Sequence, residues 1–205
     1  MHLYSILCLL TISISSLMAT QHTSCFNYFL EKDKCVFAKN GDKRCDPTPK
    51  VAKSAGTLSS HLKHGKRDNS HPIERRYATI NKTEYVAGGD GICGIYDTNK
   101  QAGACLWSGS GGKPGWLSGS KTSNCGKTLY IQRQGNPSGV VFAPVVDGCS
   151  FGMTQAKDGC FEIYLTNKTF FDLKPTKWEQ DHGRMFNLIW DFDNLYGNKS
   201  RNGPV

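Results

Sequence analysis

Eight cysteines behind an apolar leader constrain this chain more than any other feature. Leu3 to Leu17 is almost wholly apolar or small (LYSILCLLTISISSL), and Met18-Ala19-Thr20 follows with small residues. That is the layout of a secretory signal peptide cleaved near Ala19 or Thr20, so residues 1–19 read as a signal. The run falls short of the roughly 20 residues a membrane span needs, and no second such run occurs, so no membrane association is expected after cleavage. Cys8 leaves with the leader. Cys25, Cys35, Cys45, Cys93, Cys105, Cys125, Cys149 and Cys160 remain. An even number on a secretory route reads as up to four disulfides. The competing use is a zinc site, but there is no C-x-x-C pair and His182 is the only C-terminal histidine. Neither a metal nor another cofactor is expected.

The net charge of +8 is uneven. Residues 20–76 hold twelve Lys/Arg against six Asp/Glu, whereas residues 77–205 hold thirteen against eleven. Residues 20–46 form a small cysteine-bearing segment, too short for a large core and dependent on disulfides. Its three cysteines and the five downstream are both odd numbers. A bridge between the two regions fits, with a free thiol in each as the alternative. Residues 47–76 are basic, poor in large apolar residues and free of Phe, Tyr and Trp, which reads as a flexible linker or pro-segment. Basic residues without interleaved aromatics argue against nucleic acid as a partner. Lys66-Arg67 and Arg75-Arg76 are candidate processing sites or simply a solvated basic linker. Asn81, Asn167 and Asn198 open N-x-Ser/Thr sequons.

Residues 77–205 read as one all-β domain. Glycine clusters at 88–91, 110–112 and 135–139 mark turns. Thr128–Arg133 alternates as a strand; Val140–Val146 is apolar throughout, as a strand covered on both faces would be. The Gly135–Gly139 loop between them predicts a hairpin. Phe161–Leu165 and Met185–Phe192 are further strands. One short helix is expected after Pro175, with Trp178 and Leu173 for apolar contact and Gly183 past its end.

The string Gly115-Trp116-Leu117-Ser118-Gly119-Ser120, followed by Asn124-Cys125-Gly126-Lys127-Thr128-Leu129-Tyr130-Ile131, resembles the first signature block of the RlpA-like double-psi β-barrel proteins. These include barwin, kiwellins and expansin first domains. Val145-Val146-Asp147-Gly148-Cys149 looks like their V-x-D-x-C strand end, and Phe171-Asp172-Leu173 before a helix is similar to their aspartate–leucine block. Ile189 and Trp190 match the closing strand, and Ala87-Gly88-Gly89-Asp90-Gly91 resembles the kiwellin entry segment. The resemblance spans Tyr85 to Asp193. It implies a six-stranded double-psi β-barrel, a Cys125–Cys149 disulfide, and a surface groove bordered by Asp147 and Asp172. Cys93, Cys105 and Cys160 are left without assigned partners.

The candidate chemistry is carboxylate chemistry. Two aspartates flanking a groove could act as acid and base on a glycosidic bond, with Asp172 as the acid and Asp90 or Asp97 as its partner. The alternative is structural: Asp147 accepts backbone amides in a turn and Asp172 caps a helix. Trp107 and Trp116 lie in Gly/Ser-rich loops, either exposed to a ligand or packed over a barrel mouth, while Trp178 and Trp190 are expected in the core. The reading is a secreted, extracellular, monomeric and non-catalytic binding protein. Its partner is cell-wall polysaccharide or an extracellular protein, at a host–microbe boundary. A polysaccharide-cleaving enzyme and a secreted protease inhibitor are the alternatives.

Overall fold

A computed structural model describes residues 22–33, 36, 77–79, 82–136, 138–194 and 199–205. The leader, the basic linker with its dibasic pairs, Cys35, Cys45, Asn81 and Asn198 lie outside the described residues.

The chain enters as helix α1 (Ser24–Asp33), then β1 (Tyr77–Ala78), β2 (Thr83–Glu84), β3 (Gly89–Gly91), β4 (Gly94–Tyr96), β5 (Ala104–Trp107), β6 (Gly109–Ser110), β7 (Lys113–Pro114) and β8 (Thr128–Arg133). There follow β9 (Val141–Cys149), α2 (Ala156–Gly159), β10 (Ile163–Leu165), α3 (Asn167–Asp172), α4 (Lys177–His182), β11 (Arg184–Met185) and β12 (Leu188–Phe192). One sheet carries the fold, in the order β1-β12-β8-β9-β5-β10. The expected hairpin forms: β8 and β9 run antiparallel, with Thr128 opposite Pro144. β5 returns parallel to β9, the one parallel ladder in this sheet, with a register shift between Ala104 and Cys105. The sheet has six strands and curls as a half-barrel. Among the described residues no ladder joins β10 to β1, so the expected closed double-psi barrel is not seen as such.

β8 is central, and its Leu129 to Gln132 are buried, because β12 and β9 flank it and both faces are covered. Trp116 and Trp190, both fully buried, fill the hollow of the curl with Phe192 and Leu106. The Trp116 indole donates to the Cys160 carbonyl at 3.0 Å. α1 is tied to this core across 135 residues by the Cys25–Cys160 disulfide, and Phe29 stacks on Trp116 with centroids 5.8 Å apart. The bridge between the N-terminal segment and the main domain is therefore made.

Two sequence expectations are corrected, and one left open is decided. Cys125 does not pair with Cys149: Cys93 is bonded to Cys125, and Cys105 to Cys149. The strand register explains why. The β8–β9 hairpin sets the Gly126 amide on the Val145 carbonyl at 2.8 Å, so Cys125 lies short of position 149. The parallel β5–β9 ladder instead brings Cys105 and Cys149 to a Cα separation of 5.8 Å. Trp107 and Trp116 are not on the surface, being 2 % and 0 % exposed. Trp107 packs flat on α2, where a Cβ on Gly159 would stand 2.3 Å from its ring. Trp178, expected in the core, is 50 % exposed on α4.

Candidate functional site

The most exposed large apolar side chain among the described residues is Ile95, at 84 %. It sits on the β3–β4 hairpin, where Gly91 pairs with Gly94 and Ile92-Cys93 form the turn. A hairpin of three-residue strands is marginal alone, and this one is braced in three ways. The Cys93–Cys125 disulfide ties its turn to the loop before β8. The Ile92 side chain packs against the core. The Asp147 carboxylate reaches up from β9 and accepts from the Ile92 amide at 2.8 Å and from the Tyr96 hydroxyl at 3.0 Å. The same carboxylate accepts from its neighbour, the Gly148 amide, at 2.7 Å. Gly91 is needed for this approach, since a Cβ there would lie 2.7 Å from the Asp147 carboxyl carbon and 2.8 Å from the Tyr96 ring. Burial, then the Asp147 hydrogen bond, pushes the Tyr96 hydroxyl up to about 12. At one side of the hairpin is an open, mainly apolar concavity of about 440 Å³ bordered by Ile95, Tyr96, Gln101, Ala102, Pro144 and Val146.

Of the other predicted carboxylates, Asp90 shares this hairpin, while Asp172 and Asp97 lie apart from it. Asp172 ends α3 on the surface and is ion-paired with Lys168 at 2.5 Å. It lines neither this concavity nor the second one described below. Asp90 is exposed on β3 opposite Ile95. Asp97 closes a turn: the Asn99 amide and the Lys100 ammonium hold its carboxyl below the usual carboxylate range. Asn167 is half-buried at the first turn of α3, with its amide donating to Asn99 at 2.6 Å. The hydroxyl of Thr169 in the same sequon is buried and accepts from the Gly103 amide. Among the described residues no group of three or more His, Cys, Asp or Glu is placed to hold a metal ion.

Sequence reasoning missed Ile92, Ile95 and Tyr96. The available signal was the apolar pair Ile95-Tyr96 directly after a glycine turn, where an exposed strand would place polar residues. A second concavity of about 500 Å³ was also missed. Lys82, Phe151, Met153, Glu162, Tyr164, Arg184 and Phe186 line it. Burial and then the nearby Glu84 raise the Tyr164 hydroxyl above its ordinary value.

No protein-family model matches the chain, and no curated protein matches it. Among solved structures, the Streptomyces papain inhibitor is similar over 58 % of this chain and 94 % of its own, at 19 % identity and a TM-score of 0.41. A superposition that loose assigns neither a fold nor a function to this chain.

Proposed function

We propose that this chain is a secreted, extracellular, non-catalytic binding protein that engages another extracellular protein through the β3–β4 hairpin, in the manner of an enzyme inhibitor. The observation that carries the reading is the presentation of Ile95. An apolar side chain is 84 % exposed on a short loop braced by a disulfide and a carboxylate. A loop fixed before binding loses little conformational entropy on docking, which is how small rigid modules gain affinity. A projecting apolar residue on such a loop is suited to fill a partner's pocket as a binding hot spot. Secretion is supported by the leader and by three disulfides, which persist in oxidising compartments. The parallel β5–β9 ladder within an otherwise antiparallel sheet supports an open form of the double-psi barrel that the motifs resemble.

The non-catalytic half of the reading rests on the carboxylates. Asp147 spends its lone pairs on three donors, and Asp172 faces solvent against Lys168. Neither stands free in a shared groove, as acid–base hydrolysis of a glycosidic bond requires. The test is inhibition of a panel of secreted cysteine and serine proteases and of secreted glycosidases. The expected result is inhibition of at least one enzyme, weakened roughly 30-fold or more by Ile95→Asp, the size of a hot-spot loss. Release of reducing ends from cellulose, xyloglucan or peptidoglycan, abolished in Asp172→Asn, would overturn the reading in favour of a glycan-cleaving enzyme. Inhibition that Ile95→Asp leaves unchanged would remove the hairpin from it.

A further inference from the structure

Six large apolar side chains stand exposed among the described residues, and four of them, Tyr85, Phe171, Trp178 and Phe186, are aromatic residues on or beside α3, α4, β2 and β11. Ring contacts join Phe171 to Tyr85 through Phe170, and Trp178 to Phe186, with Gly183 between the two groups. Phe171 lies 5.7 Å from the buried Phe170, which meets Tyr85 at 5.8 Å. Tyr85 covers Gly183, where a Cβ would stand 2.8 Å from its ring. The next residue back, His182, stacks on Trp178 at 4.1 Å, and Trp178 lies 6.2 Å from Phe186. α4 presents Trp178 firmly. A Thr176/Glu179 capping box starts the helix, left-handed Gly183 ends it, and Glu179 is turned inward onto Arg133 at 2.5 Å.

With Glu179 of α4 turned inward and neutralised by Arg133 of β8, the same elements and their flanks carry Lys82, Lys168, Lys174, Lys177 and Arg184 against Glu84, Asp172 and Asp181. Each of these carboxylates is held by a lysine: Lys82–Glu84 and Lys168–Asp172 at 2.5 Å, Lys177–Asp181 at 2.6 Å. Arg184 reaches Glu84 only at 4.0 Å. The face therefore has a positive surplus, with Lys174 exposed in the turn between α3 and α4.

We propose that this face adsorbs onto an anionic lipid surface, with the aromatic rings in the headgroup layer and the lysines and Arg184 against lipid phosphates. Aromatic side chains with one apolar and one wet end favour that layer. Nearby basic residues each strengthen binding roughly fivefold at a negatively charged leaflet. This is surface adsorption, since no helix among the described residues is long and apolar enough to cross a membrane. A protein partner is disfavoured because protein interfaces are depleted in lysine. A glycan is disfavoured because sugar rings need an open aromatic face. Of the four aromatics, only Phe186 lines either of the two concavities described above, so these rings do not border a shared groove there.

The chain carries its own reporter. Trp107, Trp116 and Trp190 are buried, so a shift in tryptophan emission reads Trp178. The intact protein is titrated with phosphatidylcholine vesicles and with phosphatidylcholine–phosphatidylglycerol vesicles, and followed by emission and co-sedimentation. The expected result is a blue shift and sedimentation with the anionic vesicles, largely lost at about 0.5 M salt, where exposed charges are screened. Paired Trp178→Ala and Phe186→Ser changes, at positions exposed enough to spare the fold, should weaken co-sedimentation at least tenfold. Lys174→Glu should weaken it by roughly tenfold, and Ile95→Asp should leave it unchanged, which separates this face from the hairpin. Absence of binding to anionic vesicles would overturn the proposal. So would binding indifferent to the Trp178 and Phe186 changes, or an emission shift produced by cello- or chito-oligosaccharides and not by vesicles.

Discussion

Replacing Asp147 by alanine removes the acceptor of three donors at once: the amides of Ile92 and Gly148 and the hydroxyl of Tyr96. Hydrogen bonds to a charged group contribute about 1.5–3 kcal/mol each, and a buried donor left unpaired costs about 1–3 kcal/mol. The site is half-buried, so water recovers part of that loss, and the expected destabilisation is about 2–4 kcal/mol. Asp147→Asn is the discriminating control. Both amides meet the same carboxylate oxygen, which the asparagine carbonyl reproduces, while its NH2 group can donate to a reoriented Tyr96 hydroxyl. That variant should lose only about 1 kcal/mol, the value of the charge assistance. Urea unfolding reads the stabilities, and tyrosinate absorbance reads Tyr96. In the wild type, Tyr96 is pushed up to about 12 from 10.0, first by burial and then by Asp147. Its folded value lies above its unfolded one, so its contribution to stability is fully present below pH 10 and is lost as pH rises through about 12. In Asp147→Asn the Tyr96 titration should move down while staying above its ordinary value, because the burial remains. An alanine variant with an unchanged urea midpoint, or a Tyr96 titration indifferent to both substitutions, would refute the bracing of the hairpin by Asp147.

The tryptophans should separate sharply. Trp116→Ala is expected to cost about 3–5 kcal/mol, while Trp178→Ala stays within about 0.5 kcal/mol, both read by urea unfolding. Lys127 is half-buried between Asn124 and the Gly203 carbonyl, and burial pushes its ammonium down to about 8. Its folded value lies below the unfolded 10.5, so the unfolded chain binds more protons between them, and stability should climb as pH rises from about 8. In Lys127→Met that rise should vanish from the pH profile of the melting temperature. Among the three described bridges, Cys93–Cys125 is the most accessible, since Cys105 and Cys160 are buried. Limiting reductant should open it first and abolish partner inhibition while far-ultraviolet dichroism is unchanged. Loss of both signals together would contradict that order. Finally, an enzyme cutting at Lys66-Arg67 or Arg75-Arg76 should leave α1 attached through Cys25–Cys160, giving one band without reductant and two with it.

The strands were legible where period and punctuation agreed. Thr128–Arg133 forms as predicted, the glycine loop after it makes the hairpin, and Gly183 ends α4 at a φ of 61°. Phe161–Leu165 shortened to Ile163–Leu165, and Met185–Phe192 split into two strands at Asn187, whose φ is 56°. α3 was not anticipated, although its Thr166 N-cap is a start signal the sequence offered, because the helix is only six residues long and too short to show a helical period. Trp107 and Trp116 could not be decided from the sequence for a different reason. Trp107 and Trp116 lie in glycine-rich sequence, but their covers come from far away: Gly159 of α2 for one, Phe29 of α1 for the other. Local composition carries no record of partners 52 or 87 positions distant. The same holds for the disulfides, whose pairing follows from a parallel ladder that spacing cannot reveal.

The three disulfides among the described residues sit where the ladder is weakest. Cys105–Cys149 closes the parallel β5–β9 pair beside its register shift. Cys25–Cys160 holds a helix that no strand touches through a ladder. Cys93–Cys125 holds a hairpin that belongs to no larger sheet. A sheet of short strands and a small core has little free energy to spare for ordering such elements, and cross-links lower the entropy of the unfolded chain rather than adding contacts. That leaves surface residues free of structural duty. Ile95 and Trp178 can remain exposed because covalent bridges, a carboxylate and a capping box hold their backbones, not burial of the side chains themselves. The hairpin and the α4 face are thus two separately supported surfaces. A substitution on one should leave the other intact, as expected for sites that share no partners.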